Sequence, residues 1–187
     1  MALMGAEAIG DAAIAYFNAF AAAKLEAVAA RGWAVPITLS RPKVIRMTDP
    51  FRAIEPDFPV WYVMPEDSGM GTPKGGAKVQ GEHRFVFAAL VHHPGALSPT
   101  HTGSDARTPT EMAGRAAMRH ALAIVELLMD MSDAAVSSDY YANGARVMWA
   151  TTGTPVRAQY LRFDPSDKGD GLALAGVEAG AMLVEVV

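Results

Sequence analysis

The sequence predicts an α+β domain, with one mainly antiparallel sheet packed by two helices and a long loop between two central strands. Three observations predict it. Apolar residues recur at three- and four-residue steps in two separated stretches, and runs rich in β-branched and aromatic residues lie between and after them. A glycine-rich segment then divides two of the most strand-like runs. At 187 residues the chain is sized for a single domain over 1–187, with a core that needs no disulfide or metal to hold it.

The first helix lies near the N-terminus. Ile9, Ala13, Tyr16, Phe17, Phe20, Ala23 and Ala27 place one apolar face toward a core. Glu7 and Asp11 near its start and Lys24 and Arg31 near its end suit the helix dipole, and Gly32 supplies the stop. Short extended runs follow at 35–40 and 43–47, which Pro36 and Pro42 confine to strand starts, edges or bulges. The segment 49–59, with Pro50, Pro56 and Pro59, is loop. Val-Trp-Tyr-Val-Met at 60–64 is strand, and both of its faces are apolar, as for a sheet covered by a helix on one side and a partner on the other.

The stretch 65–82 holds Gly69, Gly71, Gly75, Gly76 and Gly81 and reads as a long excursion between two strands, the second at 83–91. After a turn-rich stretch at 92–107 comes the second helix. Thr108 is its expected N-cap, Pro109 its first residue, and Glu111 completes a capping box. Ala113, Ala117, Ala121, Ile124 and Leu128 form its core stripe, widened by Leu122, Val125 and Met129. Glu111, Arg115 and Arg119 line the wet side, the first two spaced for an i,i+4 pair. Short strands are expected at 145–150, 154–163 and 182–187, with turns at Asn143-Gly144, at Asp164-Pro165 and over 167–171.

The chemistry-bearing residues match no catalytic template. Zero cysteines exclude thiol catalysis, disulfides and cysteine-ligated zinc. His92, His101 and Asp105 share a loop, but no HExxH pair accompanies them, and the adjacent His92 and His93 point to opposite sides of an extended chain. The glycine-rich segment 69–75 lacks the GxxxxGK[ST] order, Pro73 removes an amide donor, and a strand rather than a helix follows. No GxSxG elbow exists around Ser98, Ser104, Ser137 or Ser138. No catalytic residue, metal ligand, cofactor or enzymatic activity is therefore expected. Trp61 and Trp149 read as core anchors or buried interface residues.

Net charge is −4 with 16 scattered Lys and Arg, which argues against sequence-specific nucleic-acid binding. Glu7, Asp11, Lys24 and Glu26 interrupt the apolar N-terminus, so neither a signal peptide nor a membrane span is expected. A charged fraction of 19% suits a subunit that covers much of its surface with neighbours.

The element order resembles the small tail-terminator (tail-completion) proteins of long-tailed bacteriophages, and more loosely the neck proteins beside them. The resemblance rests on the amphipathic N-terminal helix and on the strand pair at 60–64 and 84–91 joined by a long loop. It rests also on the helix pattern Arg115-Ala116-Ala117-x-x-x-Ala121-Leu122-x-x-Val125-x-x-Leu128, and on the terminal run Val184-Glu185-Val186-Val187. It implies a homohexameric ring in the virion, assembled in the host cytoplasm, that caps the tail tube and joins it to the head-side neck. DNA passes through such a channel without being gripped. The partners implied are the chain itself, tail-tube proteins and neck proteins, with no membrane. Met70, Lys74 and Lys78 on the long loop, together with Trp61, are the expected subunit or tube contacts. The chain departs from shorter members of that family through its 49–59 and 65–82 segments. Another neck, head–tail connector or tail-tube component stays open as an alternative, as does a small α+β enzyme or ligand-binding domain.

Overall fold

The structure, a computed structural model, describes residues 5–47, 58–70, 78–92, 109–132, 146–150 and 172–186. Helix α1 (Ala6–Ala29) opens it. Its buried residues include Ile9, Ala13, Tyr16 and Phe17, as the sequence periodicity predicts. Past Phe17 the buried face continues through Ala21, Leu25 and Val28, and the expected Phe20, Ala23 and Ala27 face solvent. Alanines on every side of α1 leave its apolar pattern compatible with more than one face, and packing against α2 and the sheet selects one. The helix stops at Ala30, and Gly32 takes the left-handed conformation (φ 65°) that an L side chain resists. By length and composition alone α1 is long and apolar enough to cross a membrane; here one face of it, from Ile9 through Tyr16 and Phe17 to Leu25 and Val28, joins the protein core.

The extended segment 35–40 forms no strand, which corrects the expectation drawn from its alternation. Val35, Ile37 and Leu39 still point inward, so the period-two pattern serves packing rather than a ladder. Strand β1 (Val44–Arg46) is short and runs parallel to β2 (Val60–Met70), which is antiparallel to β3 (Lys78–His92). Strand β4 (Arg146–Ala150) and β5 (Leu172–Val186) complete a five-stranded sheet in the order β1-β2-β3-β5-β4. The loop expected over 65–82 is therefore much shorter. Strand β2 continues through Met70, taking up Pro65 with a register shift between Pro65 and Asp67, and β3 begins at Lys78. The expected segments 49–57 and 154–163, and Thr108 with its capping role, lie outside the described residues.

Strand β5 was expected only from 182 onward, yet it pairs with β3 along its whole length, from Lys78↔Val186 to His92↔Leu172. Its sequence, Leu-Ala-Leu-Ala-Gly-Val-Glu-Ala-Gly-Ala, has little intrinsic strand preference, and pairing with the strand-forming β3 overrides it. The small residues have a use. Ala175, Ala179 and Ala181 face α2 (Pro109–Met131), which presents Ala113, Ala116, Ala117 and Ala121. With small residues on both surfaces, the helix lies close against the strand.

An aromatic cluster fills the core from α1 across the sheet: Phe17, Trp61, Phe85, Phe87 and Trp149 meet with ring centroids 5.3–6.0 Å apart. The opposite sheet face carries a second cluster of Val60, Tyr62, Ala88, Leu90 and Leu174. Val60 and Tyr62 are fully buried within the single chain, so the second apolar face of β2 needs no partner to cover it. Toward the far end of that face the sheet is wet, with Arg84 and Glu178 exposed. Ser132 stitches the end of α2 to β4, its Oγ accepting from the Trp149 N–H at 2.9 Å and donating to the Leu128 carbonyl at 3.0 Å.

Two phenylalanine truncations test this assignment of faces. Phe87→Ala should cost about 3–5 kcal/mol in urea unfolding, whereas Phe20→Ala should cost less than about 1 kcal/mol. Equal costs would contradict the face of α1 described here.

Candidate functional site

The residues expected to make contacts do not gather in one place. Met70 closes β2 opposite Gly81, and Lys78 opens β3 opposite Val186, so both lie at the same end of the sheet. Lys74 falls outside the described residues, as do His93, His101, Asp105 and the four serines Ser98, Ser104, Ser137 and Ser138. Trp61 lies elsewhere. Its side chain is fully buried in the core, so it serves the core-anchor reading and presents no indole at the chain surface. His92, at the end of β3, is half-buried with its ring 5.8 Å from that of Phe58.

The polar groups inside the protein were harder to foresee. The Trp61 Nε1–H donates to His120 Nδ1 at 3.0 Å, and the two rings meet edge to face. An indole N–H buried in an apolar core requires an acceptor, and His120 is placed by α2 to supply one. Because Nδ1 accepts, the imidazole carries its proton on Nε2 and is neutral. Burial pushes its pKa down to about 4. A neutral imidazole in the core is a hydrogen-bonding spacer rather than a charge.

One residue earlier on α2, Arg119 was expected on the wet side with Arg115. It is buried instead. Its Nη2 donates to the Val35 carbonyl at 2.6 Å, and its guanidinium lies 4.6 Å from the centre of the Trp33 ring. Trp33 is itself held by an Nε1–H donation to the Val28 carbonyl at 2.6 Å. Burial, and secondarily the nearby Arg115, holds the Arg119 pKa below its ordinary value. The arginine thereby ties the extended 35–40 segment to α2 and satisfies a carbonyl that has no strand partner among the described residues. The signal that could have found it is Trp33, an aromatic directly after the helix stop that calls for a flat cation to stack on.

Glu111 and Arg115 pair as expected, at 2.9 Å. Between the helices Glu126 receives Arg31 at 2.6 Å, and Lys24 reaches Asp130 at 2.7 Å. His83 is buried on the helix side of β3, its Nδ1 has no hydrogen-bond partner among the described residues, and burial lowers its pKa. Among the described residues no group of three or more His, Asp or Glu converges as a metal site would require. His120 and Arg119 thus act as ties between elements, the first bonded to an indole and the second to a carbonyl.

The chain matches no model of a known protein family, and no curated protein is significantly similar to it in sequence.

The Trp61–His120 tie gives stability a pH dependence of definite sign. The folded-state pKa of His120 lies below the ordinary value of 6.5, so the unfolded chain takes up a proton that the folded chain refuses. The stability this adds is fully present above about pH 6.5 and is lost as pH falls toward about 4, although the bond itself persists in the folded chain over that range. Unfolding free energy should drop by about 2 kcal/mol between about pH 7 and about pH 5. His120→Gln offers Trp61 an amide carbonyl that does not titrate, and most of that drop should vanish in the variant. An unchanged slope would show that the proton is taken up elsewhere.

Proposed function

We propose that the chain is a structural virion subunit that assembles into a ring, ending the tail tube and joining it to the head-side neck while DNA passes through the channel. One observation carries the reading. The sheet has two edges that no described strand completes: β1 pairs with β2 only at Val60, Trp61 and Tyr62, and β4 pairs with β5 only at 180–184. Among the described residues, nothing pairs with the outer edge of β2 over 63–70 or with that of β5 over 172–179.

An open edge presents backbone N–H and C=O groups ready to accept another strand. One such edge on each side of the sheet is what a head-to-tail ring uses, since the β2 edge of one subunit then lies beside the β5 edge of the next. Met70 closes that stretch of β2, and Lys78 opens the inner strand β3 at the same end of the sheet, where the proposal expects both to meet a neighbour. Pro65, the register shift beside it and the exposed carboxylate of Glu66 discourage indiscriminate pairing along β2, which reserves the edge for a partner of matched shape. The order of helices and strands supports the likeness to tail-terminator proteins, as does the low charged fraction.

The reading is tested by the mass of the purified chain in light scattering, with negative-stain imaging of the same sample. A closed ring, of six copies on the resemblance, is the expected result. A clean monomer that also fails to join tail-tube subunits would overturn the proposal.

A further inference from the structure

Among the described residues, the two open edges lie at opposite ends of the sheet. On β2 the free stretch is 63–70, past the last contact with β1 at Tyr62; on β5 it is 172–179, before β4 begins opposite Gly180. Each short outer strand is therefore a stop, β1 at the start of β2 and β4 toward the end of β5. Both β2 and β5 run antiparallel to β3, so they point the same way. Their faces alternate in step with the two cores. Val63, Ala175, Val177 and Ala179 belong to the helix side, and Met64 and Leu174 to the opposite side.

We propose that the β5 edge of one copy pairs in parallel with the β2 edge of the next, with Val63 beside Ala173 and Met70 beside Ala179 of the neighbouring copy. The inference rests on the ring reading and fixes the direction and register of its contact. The stops select the direction. In the parallel pair, β2 of one copy ends at Met70 just where β4 of its neighbour begins, opposite Gly180. At the other end β1 meets only Leu172, the first residue of the neighbour's β5. Turned antiparallel, Val63 would lie beside Ala179. Residues 60–62 of β2 would then fall where Met148, Trp149 and Ala150 of the neighbour's β4 lie, and β1 would fall on the line of β5 itself. Neither outer strand could keep its place.

The register shift in β2 keeps the faces continuous through the parallel junction. Before it Met64 lies beside Leu174 of the neighbour, and after it Gly69 lies beside Glu178, all on the face away from the helices. The same register sets a slope. Within one copy Val63 leads through Phe87 to Val177, whereas across the junction it meets residue 173. Crossing β2, β3 and β5 of each copy thus advances the sheet by about 13 Å along the strands for about 14 Å across them. That is a strand tilt of about 43°, inside the range of about 35–45° at which sheets close on themselves. Because the contact uses two different surfaces, it passes from copy to copy until the sheet closes.

The chain has no cysteine, so introduced thiols report without background. Gly69→Cys and Glu178→Cys chains are co-expressed, so that both kinds assemble together, and treated with a short thiol-bridging reagent. Met64→Cys with Glu178→Cys is the antiparallel pair, and Phe20→Cys with Glu178→Cys, both exposed, is the collisional control. Circular dichroism checks that each variant is folded, and Asp67→Cys with Gly176→Cys reads the same parallel register should Gly69→Cys fail to fold. The 69–178 pair should give a cross-linked dimer well above the control, and the 64–178 pair none above it. A 64–178 dimer would overturn the inference, and so would folded chains with no 69–178 or 67–176 dimer. Rings seen without those dimers would remove this contact and leave the ring reading standing. A 69–178 dimer in chains that grow into open filaments would keep the parallel contact and remove the ring.

Discussion

An indole N–H sealed inside an apolar core has one way to avoid the cost of lost hydration, and Trp61 takes it by donating to His120. The bond joins the start of β2 to the middle of α2, and the ring of Phe17 from α1 meets the same indole edge-on at 5.7 Å. Three elements therefore converge on one side chain. Apolar packing alone tolerates small slides of a helix over a sheet, because alanine against alanine looks similar one step along. A directional bond with a single acceptor does not, so Trp61 sets where α2 lies along the strands and where α1 closes over both.

Around that point two kinds of packing divide the interior. Between α2 and β5 the side chains are small, and the backbones approach closely. Between α1 and the sheet they are aromatic, with Phe17 meeting Trp61 and Phe87, and Phe85 and Trp149 extend the cluster toward β4. The two helices are then fastened to each other at their exposed margin, where Arg31 grips Glu126 with two bonds and Lys24 reaches Asp130. These surface pairs contribute little each. They orient the helices rather than hold them.

Much of the fold was legible in the sequence where local preference and tertiary environment agree. The core stripe of α2 from Ala113 to Leu128, the Glu111–Arg115 pair and the hairpin strands around Trp61 and Phe87 all follow from periodicity. The misses fall where the two disagree. Residues 172–181 are too rich in alanine and glycine to announce a strand, and only the partner β3 makes them one. The apolar residues of α1 fit more than one face. Arg119 reads as a surface cation because its acceptor, the Val35 carbonyl, is 84 positions away in the chain. Of the expected contact residues, Met70 and Lys78 share one end of the sheet, whereas Trp61 belongs to the core; an apolar strand residue gives no sign in sequence of which layer covers it.

The same neutral imidazole that accepts from Trp61 fixes β2, the strand that leads to the open edge of the sheet. The edge contact proposed for the ring thus depends on one interior register. The nitrogen-15 shifts of the His120 imidazole, followed against pH, test that dependence most directly. An Nε2–H tautomer with Nδ1 unprotonated, persisting to well below pH 6.5, is the result the account predicts. An Nδ1–H tautomer, or titration at the ordinary histidine pKa, would contradict it, since neither allows the bond from Trp61.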